Sequence, residues 1–108
     1  MLRFSELRAA NLERLDQFHP IEDWTPLEWA GCMCGEAGEA ANLAKKLRRG
    51  DDITAAQICR EVADTIIYAD LLCARLGIDL GQCVVDTFNN KSREMGVNVM
   101  LVPEGMTP

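Results

Sequence analysis

The sequence has few of the residues on which most metal and redox sites are built. It contains one histidine, His19, and five cysteines with no Cys-x-x-Cys pair among them. A carboxylate-bridged di-iron bundle requires Glu-x-x-His motifs, and a zinc knuckle requires closely spaced cysteine or histidine ligands, so both classes are disfavoured. An odd number of cysteines within apolar helix faces also argues against a disulfide framework. We expect small, buried, reduced thiols at Cys32, Cys34, Cys59, Cys73 and Cys83.

An excess of positive charge and a long apolar run are also missing. The net charge is −6 and the isoelectric point is about 4.7, whereas a protein that coats nucleic acid or an anionic membrane needs a basic stripe. No apolar stretch approaches the roughly 20 residues of a membrane span, and the first residues do not resemble a signal peptide. We therefore expect a cytoplasmic protein whose partner is a small molecule, with no nucleic-acid polymer and no membrane.

Four amphipathic helices are predicted, which makes the fold class all-α. The apolar spacing indicates helices from about 3 to 18, 26 to 49, 54 to 76 and 79 to 95. Thr25-Pro26-x-Glu28 and Thr54-x-x-Gln57 supply start signals for the second and third helices. Basic residues before Gly50 favour the end of the second. On the fourth helix we expect one set of side chains to face the core: Leu80, Cys83, Val84, Thr87 and Phe88.

The chain length predicts one domain that gains from a partner copy. At 108 residues and 12.0 kDa the core is small, so a homo-oligomer is expected. We assign residues 1–96 to the helical domain and 97–108 to a tail. The first part of the tail can form a short strand or dock on a neighbour. Its last six residues are expected to be loose. Gly31, Gly35 and Gly38 share one helix face at a cost of about 1 kcal/mol each relative to Ala. Such a face suggests close approach of another backbone or a ligand.

Two acidic pairs of the same form stand on the second and third helices. They are Glu36-x-x-Glu39 and Glu61-x-x-Asp64. Residues three apart share a helix face, so four mutually repelling carboxylates can converge between facing helices. Oxygen ligands of this kind suit Mg²⁺, which leaves room for substrate phosphates. Two solvated acidic faces would be the plain alternative, but the neighbouring residues are apolar, and carboxylates in apolar surroundings usually have partners.

Four segments of the chain carry a family resemblance: Glu36-Ala-Gly-Glu39, Lys45-Lys46-Leu47, Glu61-Val-Ala-Asp64 followed by Tyr68, and Leu76-Gly-Ile-Asp-Leu80. In these segments the chain resembles the MazG-like, all-α nucleoside triphosphate pyrophosphohydrolases. Their signature is E-x-x-E followed by E-x-x-D on the next helix. The likeness covers about residues 20 to 95.

The resemblance implies a four-helix MazG-like bundle whose helical hairpins assemble into a dimer or tetramer, with substrate pockets near the subunit contacts. It implies Mg²⁺, with Mn²⁺ as a substitute, held by Glu36, Glu39, Glu61 and Asp64. The reaction would cleave a (d)NTP between its α and β phosphates, giving the monophosphate and pyrophosphate. The same resemblance implies that Lys91 and Arg93 lie at the end of the substrate site that contacts the phosphates.

Further roles follow from what such a reaction needs. A carboxylate not fully committed to metal, for which we choose Glu39, can orient or deprotonate the attacking water. Lys45 and Lys46 can meet the outer phosphates, as Lys91 can, although the first two also suit the helix dipole and a solvated surface. Aromatic faces stack on bases.

Among the aromatic residues we favour Tyr68 as functional. Trp24 is open between loop and stacking roles, and Trp29 fits core packing better. We interpret His19 as a helix-end residue rather than a ligand. Asp70, which lies on the apolar side of the third helix, should be buried and paired, near Arg75 or with a second subunit.

Two rival functions share this scaffold. A phosphoribosyl-ATP pyrophosphatase-like enzyme would use the same helices and metal site. A non-catalytic helical interaction module would keep the bundle without turnover. The sequence leaves the base, the sugar and the biological role open.

Overall fold

The computed structural model describes residues 1–106 and contains four α-helices. They are α1 (Phe4–Leu15), α2 (Pro26–Arg48), α3 (Ala55–Arg75) and α4 (Leu80–Met95), with a short 3₁₀ turn at Ile21–Asp23. The all-α prediction is confirmed, and no strand forms in the described tail. Pro103 to Met106 close a turn; the rest of the tail predicted to be loose, 107–108, lies outside the described residues. Within residues 1–106 no helix has the length and apolar character needed to cross a membrane.

Local capping sets the helix ends close to their predicted positions. The Thr25 hydroxyl accepts from the Glu28 amide at 3.3 Å with Pro26 in the first turn. Thr54 and Gln57 form both bonds of the predicted capping box. The Asp79 carboxylate caps α4. α1 ends three residues earlier than predicted because residues 16–18 form a turn.

The helices α2 and α3 form the antiparallel hairpin that dominates the fold. The polar arc of α3, including Glu61, Asp64 and Tyr68, is partly buried, while Val62 and Ile66 are exposed. On a helical wheel of α3 these two residues lie on the opposite, apolar arc. In a single chain part of that arc is therefore left uncovered, and the acidic arc lies against α2.

A buried polar network joins α1 to α3. Asp70 is 1% exposed, and its carboxylate accepts from Arg8 Nε at 3.0 Å and from Asn11 Nδ2 at 3.0 Å. The prediction that Asp70 is buried and paired is confirmed. The suggested partners were wrong, because the pairing residues come from α1, whereas Arg75 Nε donates to the Trp24 carbonyl at 2.9 Å.

The helix α4 packs on α1 and α3, and Gly81 in its first turn lies against Phe4. Leu80 is partly buried, but the other residues expected to point inward are exposed: Cys83, Val84, Thr87 and Phe88. That expectation is wrong for the single chain, because nothing within residues 1–106 covers these four side chains enough to bury them. The Asn89 side chain exchanges two hydrogen bonds with the backbone of Leu101 and holds the tail along α4.

The cysteines and the glycine face of α2 are more exposed than expected. The five cysteines are free, as expected, but Cys34, Cys59 and Cys83 are exposed and Cys32 and Cys73 are only partly buried, so their predicted burial is wrong. A Cβ at Gly31, Gly35 or Gly38 would meet nothing within 4 Å. Within residues 1–106 nothing packs closely on the glycine face, and the expected close approach stays a prediction about a ligand or another chain.

Candidate functional site

The two acidic pairs meet across the helical hairpin. Oxygen atoms of Glu36 on α2 and of Glu61 and Asp64 on α3 all lie within 4.8 Å of one another. The antiparallel packing of α2 and α3 brings these positions level, and the three-residue spacing turns both acids of α3 to the same side. Three of the four predicted ligands therefore face a common volume.

The protonation of Glu36 reflects this crowding. A hydrogen bond with the Glu61 side chain is the main cause that raises the Glu36 pKa above 4.5. Partial desolvation adds to the rise, as do the negative charges of Glu61, Asp64 and Glu39. Two carboxylates that approach this closely hold a proton between them or need a cation.

Glu39, the fourth predicted ligand, stands apart from the other three. It lies one turn beyond Glu36 on α2, is exposed, and acts on Glu36 through its charge. The grouped oxygens of Glu36, Glu61 and Asp64 fit a hard divalent cation, because Mg²⁺ and Ca²⁺ prefer carboxylate oxygens and none of the ion pairs found within residues 1–106 involves these three acids. Glu39 is not part of this group, and its roles as a ligand and as the water-orienting carboxylate stay predictions.

An aromatic cavity adjoins the cluster through Asp64. The cavity has a volume of about 220 Å³, and its wall includes Asp64, Trp24, Trp29, His19 and Tyr68. The Trp24 and Trp29 ring centroids are 4.5 Å apart, and His19 lies 4.9 Å from Trp24. The Tyr68 ring is 6.3 Å from that of Trp29. A planar ring system can stack within such a set of aromatic faces.

Backbone contacts fix the aromatic side chains. The Trp29 indole, 1% exposed, donates to the Ile21 carbonyl at 3.4 Å, which confirms its core packing while its ring forms part of the cavity wall. The bond from Arg75 to the Trp24 carbonyl ties the loop before α2 to the end of α3. His19 Nδ1 lies 2.9 Å from the Pro20 carbonyl oxygen, so this nitrogen donates its proton and Nε2 is left for other partners.

Tyr68 connects the aromatic cavity with the acidic cluster. Burial is the main cause that raises the pKa of its hydroxyl, and Cys32, Glu36 and Asp64 add to the rise, while Arg14 lowers it. The hydroxyl therefore stays protonated at neutral pH and is able to donate a hydrogen bond.

The four predicted basic residues lie outside this cavity wall in the single chain. Lys45 is nine residues beyond Glu36 on α2, which corresponds to about 13 Å along the helix axis, and Lys46 is its neighbour. Lys91 pairs with Glu94 at 3.6 Å, and Arg93 donates to Asn90. Their phosphate-binding roles stay predictions.

Sequence reasoning missed two residues of the cavity wall, His19 and Arg14. A signal for His19 was available, because Phe18, Trp24 and Trp29 place half of the six aromatic residues within a short segment around it. Arg14 gave no such signal, because it lies outside this aromatic segment.

A larger cavity of about 510 Å³ lies between the start of α1, the start of α4 and the tail. Its wall includes Leu2, Phe4, Val84, Val85 and Leu101 and none of the clustered carboxylates. We locate the candidate site at the smaller cavity, because its wall includes Asp64, a member of the carboxylate cluster, and the wall of the larger cavity includes no member of that cluster.

Comparisons of the chain with protein-family models, with curated proteins and with solved structures found no match.

Proposed function

We propose that this chain is a Mg²⁺-dependent nucleoside triphosphate pyrophosphohydrolase of the MazG-like type, which cleaves a (d)NTP to the monophosphate and pyrophosphate. One observation carries the proposal: a cluster of three carboxylates opens, through Asp64, into a cavity walled by two tryptophans, a tyrosine and a histidine. A nucleotide presents both matching parts, a metal-binding phosphate chain and a planar base.

The size of the cavity supports a base as its occupant. At about 220 Å³ it is smaller than the roughly 300–1,000 Å³ typical of pockets for whole drug-sized ligands. It suits one ring system, with the sugar and phosphates extending towards the acidic cluster. In this arrangement Trp24 stacks on the base and the Tyr68 hydroxyl donates a hydrogen bond.

The acidic residues divide into two tasks. Glu36, Glu61 and Asp64 hold the metal ion, with Glu39 as its fourth predicted ligand. Mg²⁺ supplies charge compensation for the phosphate oxygens. Glu39, which is exposed and outside the tight group, orients the attacking water and accepts its proton.

We further propose that the active form is a homodimer or homotetramer. Apolar side chains that a closed monomer would bury are exposed on α3, α4 and the tail, among them Ile66, Phe88 and Met100. A second copy would cover them and can bring Lys45, Lys46, Lys91 or Arg93 to the phosphates. A cytoplasmic location stays a prediction.

Product analysis tests the reaction. A panel of canonical and modified nucleoside triphosphates, together with phosphoribosyl-ATP, should be incubated with the protein and Mg²⁺ in H₂¹⁸O. We expect monophosphate and pyrophosphate, with the label in the monophosphate, because attack at the α-phosphorus makes pyrophosphate the leaving group. Diphosphate and orthophosphate would indicate a γ-phosphatase, and no release at all would favour the interaction module.

Matched variants connect the turnover with the site. Glu61→Ala and Asp64→Ala should each remove most Mg²⁺-dependent turnover while circular dichroism shows the helices intact. Glu6→Gln, at an exposed acid on α1, should leave the turnover unchanged. Turnover within a few-fold of wild type in either cluster variant contradicts the assignment.

A further inference from the structure

Arg14 stands at the level of the acidic cluster because of the way α1 packs on α3. Arg8 contacts Asp70, and Asn11, three residues later, donates to the Ile67 carbonyl at 3.2 Å. The helices α1 and α3 therefore run antiparallel to each other. One further turn places Arg14 level with Asp64 to Ile67, at the metal-binding end of the cavity.

Arg14, an exposed residue of α1, is part of the cavity wall. Arg14 lines the cavity together with Asp64, Trp24 and Tyr68. Its positive charge reaches the Tyr68 hydroxyl, where it opposes the rise in pKa that burial chiefly causes. Lys45, Lys46, Lys91 and Arg93 do not line this cavity.

The Arg14 side chain forms no ion pair and no hydrogen bond within residues 1–106. The ion pairs found within residues 1–106 involve Arg3, Arg8, Arg49 and Lys91. Arg75 is bonded to the Trp24 carbonyl. The Arg14 guanidinium has neither a carboxylate within 4.0 Å nor a hydrogen-bond acceptor in that part of the chain, although Asp64 shares its cavity. Its five donors are therefore available to a ligand.

We propose that Arg14 binds the phosphate of the bound nucleotide, on the opposite side of the cavity from the base, and so is a substrate-contacting residue supplied by α1. The inference rests on the proposed function. The three clustered acids repel a polyphosphate, and a guanidinium is the side chain whose planar fork of donors best matches two phosphate oxygens. The register with Asp64 favours the phosphate over the base, because Trp29 and Leu71 lie towards the other end of the cavity.

Binding of reaction products tests this assignment without turnover. The intrinsic fluorescence of Trp24 and Trp29, both in the cavity wall, should be titrated in Mg²⁺ with each of the four deoxynucleosides and with each 5′-monophosphate. Arg14→Gln should weaken monophosphate binding about tenfold, the size typical of a lost charge-assisted hydrogen bond. Its affinity for the deoxynucleosides should equal that of wild type.

Two controls make the result specific. Arg14→Lys should recover part of the monophosphate affinity, since it restores the charge without the fork. Arg3→Gln, which removes an exposed arginine at the start of the same helix, should change neither affinity. Circular dichroism of each variant checks the fold.

The failures of the two proposals are distinguishable. Unchanged monophosphate binding by Arg14→Gln, or an equal loss for monophosphate and deoxynucleoside, overturns the role of Arg14 even if the wild type releases pyrophosphate. A wild type that neither releases pyrophosphate nor binds any monophosphate overturns the proposed function, and the role of Arg14 with it.

Discussion

At the scale of single residues, the main feature is the enforced proximity of like charges. Glu36 and Glu61 are close enough to share a hydrogen bond, and Asp64 lies within the same 4.8 Å group. A shared proton and a bound cation are two ways to relieve the repulsion, and they compete for the same oxygens. We therefore expect the occupancy of the proposed metal site to depend on proton concentration.

This competition gives the first prediction. Because the Glu36 pKa is raised above 4.5, the metal-free fold binds the proton more tightly than the unfolded chain does. Its stabilising contribution is present below the unfolded-state pKa and is lost as pH rises through the raised value. Over the same range the affinity for Mg²⁺ should increase, as the ion replaces the proton. Isothermal titration with Mg²⁺ and chemical unfolding at a series of pH values measure both trends.

A neutral variant isolates the cause. Glu36→Gln removes one of the repelling charges, so the metal-free protein should be more stable than wild type at neutral pH and should gain little from added Mg²⁺. Glu13→Gln, at an exposed acid on α1, serves as the control. If Mg²⁺ raises the unfolding temperature of Glu36→Gln as much as that of wild type, the cluster is not the metal site.

Asp70 shows what a sequence does and does not reveal about one residue. Its position on an apolar arc was enough to predict burial and pairing, because an unpaired carboxylate there would be costly. Its partners, Arg8 and Asn11, lie about 60 residues earlier in the chain. No local pattern connects α1 with that turn of α3, so the partners were not predicted.

At the scale of elements, α1 is joined to α3 by a small number of polar contacts. The Asp70 carboxylate accepts hydrogen bonds from Arg8 and Asn11. A second Arg8 nitrogen donates to the Ile78 carbonyl at 2.7 Å. The position of α1 determines where Arg14 and His19 stand. The network that stabilises this packing therefore also shapes the aromatic cavity.

Disruption of the network gives the second prediction. Asp70→Ala leaves Arg8 and Asn11 without their acceptor, and removal of one partner from a buried pair costs about 3–5 kcal/mol. Because Arg8 is about a quarter exposed, we expect the lower part of that range in urea unfolding. Asp86→Ala, at an exposed acid on α4, should stay within about 0.5 kcal/mol of wild type. An equally small change for Asp70→Ala would show that the network does not stabilise the docking of α1.

Helix boundaries were predictable because the signals that set them are local. The caps at Thr25, Thr54 and Asp79 and the left-handed glycines Gly50 and Gly96 lie within a turn of the ends they define. The orientation of α4 was not predictable in the same way, since the covering of an apolar face depends on what packs against it. The same limit applied to Val62 and Ile66 on α3.

At the scale of the whole molecule, the chain is less compact than a typical domain of the same length. Its radius of gyration is 16.3 Å, against about 13 Å for a compact domain of this size. Its accessible surface of 7715 Å² exceeds the roughly 6,000 Å² expected for a 12 kDa monomer. Trp29 and Leu71 are the only hydrophobic residues among 1–106 that are buried.

This openness gives the third prediction. The excess of about 1,700 Å² on one chain is about twice the roughly 800 Å² that each partner buries in a standard interface. Sedimentation velocity across micromolar concentrations should therefore show a dimer or tetramer. Phe88→Glu, on the uncovered face of α4, should shift the protein towards monomer and lower its unfolding temperature. Gln17→Glu, which adds the same charge at an exposed polar site, should not, and a monomeric wild type with full specific activity would contradict the prediction.

The location of the acidic cluster within one hairpin also has a consequence for the time course of folding. Glu36 and Glu61 are about 25 residues apart, so α2 and α3 can meet by closing a short loop before α1 docks from far along the chain. The carboxylates thus come together early, when little of the fold is present to oppose their repulsion. Stopped-flow refolding should show a rate that rises with Mg²⁺ concentration, as the ion would then assist hairpin closure rather than bind only to a finished site.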